Sequence, residues 1–179
     1  MRIALLLALL CATAGADPAP AAPAAKVEVV TLEAQPAIVR TVKAAPDALG
    51  SSIAGAVLSL IAAADQHALA IVGPPFARHV AGGKQIELEV GVPVRKAPAK
   101  QRLGKDIRAG ELPAGPAATL LFRGRHDDLP RAHAVIDAWL ASHDRKAAAP
   151  RWEVYVTNPV QTPDPASQQT RIVVPLAPY

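Results

Sequence analysis

A carboxylate framed by rings stands near the C-terminal end of the chain, in "PRWEVYVT" (residues 150–157). The protein has only two Trp, two Tyr and two Phe, yet Trp152 and Tyr155 both lie beside Glu153. Two chemistries suit such a group. Aromatic faces around a carboxylate favour an organic cation, each face adding roughly 0.5–2 kcal/mol when desolvated. In an apolar pocket the same carboxyl acquires a raised pKa and serves as a general acid. Strand alternation sends Trp152, Val154 and Val156 one way and Glu153, Tyr155 and Thr157 the other. The apolar three predict core beneath a helix, with Glu153 and Tyr155 on the opposite face. On residue type alone, a solvated Glu is the commoner outcome.

Other reactive residues carry weaker patterns. His67, His133 and His143 are expected at exposed or helix-edge positions, and no His pair has the spacing of metal ligands. "HDD" (126–128) reads as a turn leading into a helix cap. Ser51, Ser52 and Ser142 lack the context of a nucleophile elbow. "AGGK" (81–84) reads as a hairpin turn without the Walker pattern. No metal site, cofactor or catalytic triad is expected.

The elements that hold these residues come in two copies. "LEAQPAIVRTVKAAPDALG" (32–50) lies over "LPAGPAATLLFRGRHDDLP" (112–130) at an offset of 80, "PPF" (74–76) over "PRW" (150–152) at 76, and "VPV" (92–94) over "VPL" (174–176) at 82. Each copy reads strand–strand–helix–strand–strand. The first helix shows an apolar stripe at Leu49, Ile53, Ala56, Val57, Leu60, Ile61 and Ala64; the second shows one at Leu129, Ala132, Val135, Ile136, Trp139 and Leu140. Asp47 and Asp128 stand where they could cap, with Pro130 in the first turn. Trp139 belongs to that stripe and reads as core before pocket. Neither helix can bury its stripe alone. The expected fold is therefore α+β, an eight-stranded antiparallel sheet with both helices on one face, in repeats of about 26–95 and 105–179. A groove between such copies is a common place for a small-molecule site. Phe76 falls at the Trp152 position, Ala77 at Glu153 and His79 at Tyr155. The acid is present in one copy only.

Bulk properties set limits. "MRIALLLALLCATAGA" has the basic start, short apolar run and small residues of a secretory leader cleaved after Ala16, and it is too short to anchor in a bilayer. Cys11, the one cysteine, lies within it and does not follow the small residue that lipid attachment favours, so a soluble, exported and periplasmic product is expected. Residues 17–25, "DPAPAAPAA", form a spacer, and the domain covers 26–179. The net charge of +4 is scattered, without the basic-aromatic footprint of a nucleic-acid binder.

The motifs "VGPPFARH" (72–79), "ELEVGVPV" (87–94), "LPAGPAATLLFRGRHDDLPRAHAVIDAWL" (112–140) and "WEVYVTNPVQTPDPASQQTRIVVPL" (152–176) resemble the GyrI-like effector-binding domain. The resemblance spans nearly everything from Lys26 onward. It implies a small organic ligand, hydrophobic and cationic, held between the halves by the acid of the tryptophan motif, here Glu153 with Tyr155 beside it. Trp152, His79, Phe76, Trp139 and His126 complete the candidate ligand-binding set, His126 standing where members often carry Tyr. The regulator role is not implied, since no DNA-binding domain is present, and a monomer is expected. Two alternatives are a hydrolase of strained cyclopropane-type compounds using Glu153 and Tyr155, and a haem binder of the SOUL type with His79 as the candidate axial ligand.

Overall fold

A computed structural model describes residues 26–99, 102–158 and 161–178. The expected leader and spacer, with Cys11, lie outside these. The described residues form strands β1 (Val27–Leu32), β2 (Gln35–Ala44), β3 (Phe76–Ala81), β4 (Ile86–Pro93), β5 (Arg102–Gly104), β6 (Ile107–Leu112), β7 (Gly115–Arg123), β8 (Trp152–Tyr155) and β9 (Gln169–Pro175). Helices α1 (Leu49–Gln66) and α2 (Leu129–Ser142) complete the set. All strands join one antiparallel sheet in the order β1-β7-β9-β8-β3-β4-β2-β6-β5. That is one strand more than expected. The addition is β5, a short strand hairpinned to β6 in the segment between the repeats.

The sheet order shows how the copies combine. The first strand of each repeat is exchanged: β1 pairs with β7 of the second copy, and β6 pairs with β2 of the first. The repeats therefore meet along a pseudo-twofold axis between β3 and β8 and are laced together at both outer edges. One row of side chains crosses the sheet in register, Ile107–Arg40–Val90–Ala77–Glu153–Ile172–Leu120–Val27. Residues directly opposite share a face. Val90 and Ala77 pack with α1, Ile172 and Leu120 with α2, so both helices cover the same face. The two apolar clusters stop on either side of Glu153.

Each helix is fixed by its stripe. Ala56, Leu60, Ala63 and Ala64 of α1 bury against β2 and β4, and Leu129, Ala132, Ile136 and Leu140 of α2 bury against β7 and β9. A fully buried Leu such as Leu60 contributes roughly 1.5–3 kcal/mol. By length and composition α1 is apolar enough to cross a membrane, but here its stripe is spent on the sheet. Ile61 and Val135, expected in the stripes, are exposed at the stripe margins. The capping expectation also needs correction. Asp128 occupies the N-cap position of α2 without a capping hydrogen bond, and Asp47 sits inside a 3₁₀ turn ahead of α1. A 3₁₀ turn opening with an extended residue starts both helices instead, and the chain enters without a side-chain cap.

The other face of the sheet carries a third cluster, Ala37, Val39, Phe76, Ala117, Trp152 and Val173, with Leu32 and Leu112 of the exchanged strands packed against it. Phe76 reaches across β4 there: a Cβ on Gly91 would lie 2.3 Å from its ring, so only glycine admits the close approach.

Candidate functional site

α1 lies over β2 and β4 and α2 over β7 and β9, which leaves the seam strands β3 and β8 as the floor of a groove between the helices. Alternation on β8 puts Glu153 and Tyr155 on that floor, and alternation on β3 adds Ala77 and His79. The alternation holds as expected, but the two faces are reversed relative to the helices. Trp152 and Val154, expected beneath a helix, point to the helix-free face, and Glu153 and Tyr155 point toward the helices. Trp152 and Phe76 are 2% and 1% exposed there, on the far side of the sheet from Glu153, and do not wall its groove. Trp152 and Val154 instead meet Val30, Leu32 and Leu112 around a separate cavity of about 400 Å³.

Glu153 is 8% exposed. Its Oε1 accepts from His133 Nε2 at 2.8 Å and from His79 Nε2 at 3.3 Å, and its Oε2 accepts from the Tyr155 hydroxyl at 3.2 Å. His79 and Tyr155 occupy equivalent positions of the two copies, so both halves converge on the one acid. Burial raises the carboxyl's pKa, but the hydrogen bonds from His133 and His79, with the positive charge those rings carry when protonated, outweigh it and hold the group down at about 2. Glu153 is therefore a permanent anion at neutral pH. This corrects the expectation of a raised pKa. Tyr155 moves the other way: burial, the Glu153 charge and the bond to it push its phenol well above the ordinary range.

A second layer orients the imidazoles. Arg151 donates from Nη1 to His133 Nδ1 at 3.2 Å and binds Asp137 through both guanidinium nitrogens, at 2.6 and 3.3 Å. Since Arg only donates, His133 Nδ1 is an acceptor and its proton sits on Nε2, aimed at Glu153. The His79 and His133 rings meet edge-on at 5.8 Å. The side chain of His79 is 40% exposed against 18% for His133, so His79 faces the mouth of the groove.

His126 lies in the 3₁₀ turn before α2, its ring 5.7 Å from that of Tyr155, at the rim of the site. Trp139 packs with the α2 cluster and stacks on His143 at 4.3 Å, and it stays out of the cluster around Glu153. His67 is exposed, bonded to the Leu103 carbonyl. The haem reading made His79 an axial ligand; its Nε2 is directed at Glu153. His133, expected at an exposed or helix-edge position, is the major correction. The offset of 80 that aligns the helices sets it over Ile53, an inward apolar position in the first copy. A histidine replacing an inward isoleucine was the signal. Spacing rules also excluded a metal site, whereas His79, His133 and Glu153 bring three ligand atoms within 4.8 Å of one another.

Comparison with known proteins follows the fold. The C-terminal domain of EcmrR superposes with a TM-score of 0.70 at 15% identity, over 87% of this chain and 99% of that one. A hydrolase from Listeria innocua gives 0.64 at 13% identity, over 88% and 94%. SAV2435 bound to tetraphenylphosphonium gives 0.56 at 12% identity, over 85% and 94%. At these identities the likeness is one of fold. No curated protein sequence matches the chain. The model of the GyrI-like small molecule binding domain matches residues 25–177, all but the last residue of the described fold, and the chain belongs to that family.

Proposed function

We propose that the protein is exported and, as a monomer, binds a small, largely apolar, cationic organic molecule in the groove between its helices. The observation that carries this reading is a buried, permanently ionised carboxylate on the groove floor, set between the two apolar clusters beneath the helices. Glu153 supplies the charge. His79 and Tyr155 supply ring faces and hydrogen bonds, and His126 closes the rim. Phe76 and Trp152 have no part in this wall. The complex of SAV2435 with tetraphenylphosphonium supports the ligand class, a lipophilic organic cation.

The test starts from protein purified from the periplasm, whose mature chain is expected to begin at Asp17. Calorimetric titration with tetraphenylphosphonium should give saturable binding that weakens at least about tenfold in Glu153→Gln, the equivalent of about 1.4 kcal/mol. Equal affinity in both proteins would overturn the role given to the acid.

A further inference from the structure

We propose that His79 Nε2, His133 Nε2 and Glu153 Oε1 form a binding site for a divalent transition-metal ion, with zinc the best fit, open on its fourth side to the groove. Two imidazoles and one carboxylate are the donor set that zinc takes in sites that keep an exchangeable position. Magnesium and calcium need more oxygen than this cluster has. The ligands come from β3, α2 and β8, three packed elements of both repeats, so the backbone holds them without an ion. At zinc–nitrogen and zinc–oxygen lengths of about 2.0–2.1 Å, the edge of a coordination tetrahedron is about 3.3 Å. Oε1 already lies 3.3 Å from His79 Nε2 and 2.8 Å from His133 Nε2. Seating an ion needs a retreat of a few tenths of an ångström on the tighter side, with the two imidazole nitrogens, within 4.8 Å of each other, brought to the same edge. The half-exposed His79 marks where a water or a ligand atom reaches the fourth position.

Proton balance follows from the present bonds. Metal takes the Nε2 lone pair of each ring, so the ring proton moves to Nδ1 and the imidazoles stay neutral. Arg151 then gives up its bond to His133 Nδ1. Asp137, one helical turn along α2 and bound to the same guanidinium, is the acceptor at hand for the relocated proton, as outer-shell carboxylates are for zinc-bound histidines. The local charge changes from −1 to +1. A loaded site therefore rejects organic cations and accepts molecules that offer a carboxylate, a hydroxamate or another donor atom.

The experiment titrates EDTA-treated, dialysed protein with Co²⁺ and follows the visible band of four-coordinate cobalt, then displaces it with Zn²⁺. Saturable binding at one equivalent is expected, weakened in His79→Asn and in His133→Asn by more than the roughly 10–100-fold that losing an outer partner costs. His79→Asn removes a half-exposed side chain and keeps the test valid if the buried substitution unfolds the protein. No cobalt band in folded protein, or undiminished affinity in His79→Asn, would overturn the proposal. A competition arm rests on the organic-cation reading: Zn²⁺ should expel tetraphenylphosphonium, and simultaneous unweakened binding of both would contradict the charge inversion. Tetraphenylphosphonium binding without cobalt binding sinks the metal site alone. Cobalt binding without tetraphenylphosphonium sinks the organic-cation reading alone.

Discussion

Glu153 takes hydrogen bonds on both carboxylate oxygens from three different elements, β3, α2 and its own strand. Its folded-state pKa lies near 2 against an ordinary value of 4.5. The stabilisation from the ionised group is thus fully present above pH 4.5 and is lost as pH falls through the folded value. Between pH 5 and pH 2.5 the wild type should lose more unfolding free energy than Glu153→Gln, by of order 3 kcal/mol at the limit, read as the shift of urea midpoints. Parallel losses in both proteins would show that the donors do not hold the carboxyl down. At this scale the sequence disclosed the acid, its tyrosine neighbour and the His79 equivalence. It hid His133, because a partner on a helix twenty residues upstream becomes a neighbour only through packing. The side of the sheet was equally hidden: alternation gives two faces, and the helix-free face here also carries a buried apolar cluster, with Leu32 and Leu112 folded onto it.

Both helices end alike. Ala68 and Asp144, equivalent by the offset of 76, adopt φ of 51° and 49°, and Leu69 and Arg145 donate back to Ala64 and Leu140 at 2.8 and 2.9 Å. This is a left-handed C-terminal stop repeated in both copies, built without the glycine that usually serves it. Replacing Ala68 by Gly should relieve the left-handed penalty and stabilise the protein by about 1 kcal/mol. Thermal unfolding checks this, and an unchanged or lower midpoint would argue that residue's strain is offset elsewhere. Helix positions, lengths and stripes were legible from periodicity, and so was the order strand–strand–helix–strand–strand. The starts were misread, since Asp47 and Asp128 fit a capping pattern that the 3₁₀ turns make unnecessary. Strand β5 left no alternating pattern in three residues to detect.

The duplication predicted the architecture of the whole molecule, but not the exchange of β1 and β6. A repeat read from sequence gives the unit and its symmetry, whereas pairing partners for an edge strand are set by which neighbour offers an open ladder. Because β1 seals β7, removing residues 26–32 should expose a bare edge. We predict a fall in melting temperature of roughly 10 °C, at about 3 °C per kcal/mol for a chain of this size, together with self-association visible by sedimentation. A monomer with an unaltered midpoint would show that the exchanged strand is dispensable.

The same lacing has a temporal side. The strand made first, β1, finds its partner only when residues 115–123 have been synthesised, and β2 waits for β6 on one side and β4 on the other. No half of the chain can close its own sheet, so a nascent polypeptide remains open until nearly the whole length has emerged. Such long-range closure is slow and leaves adhesive edges bare in the meantime.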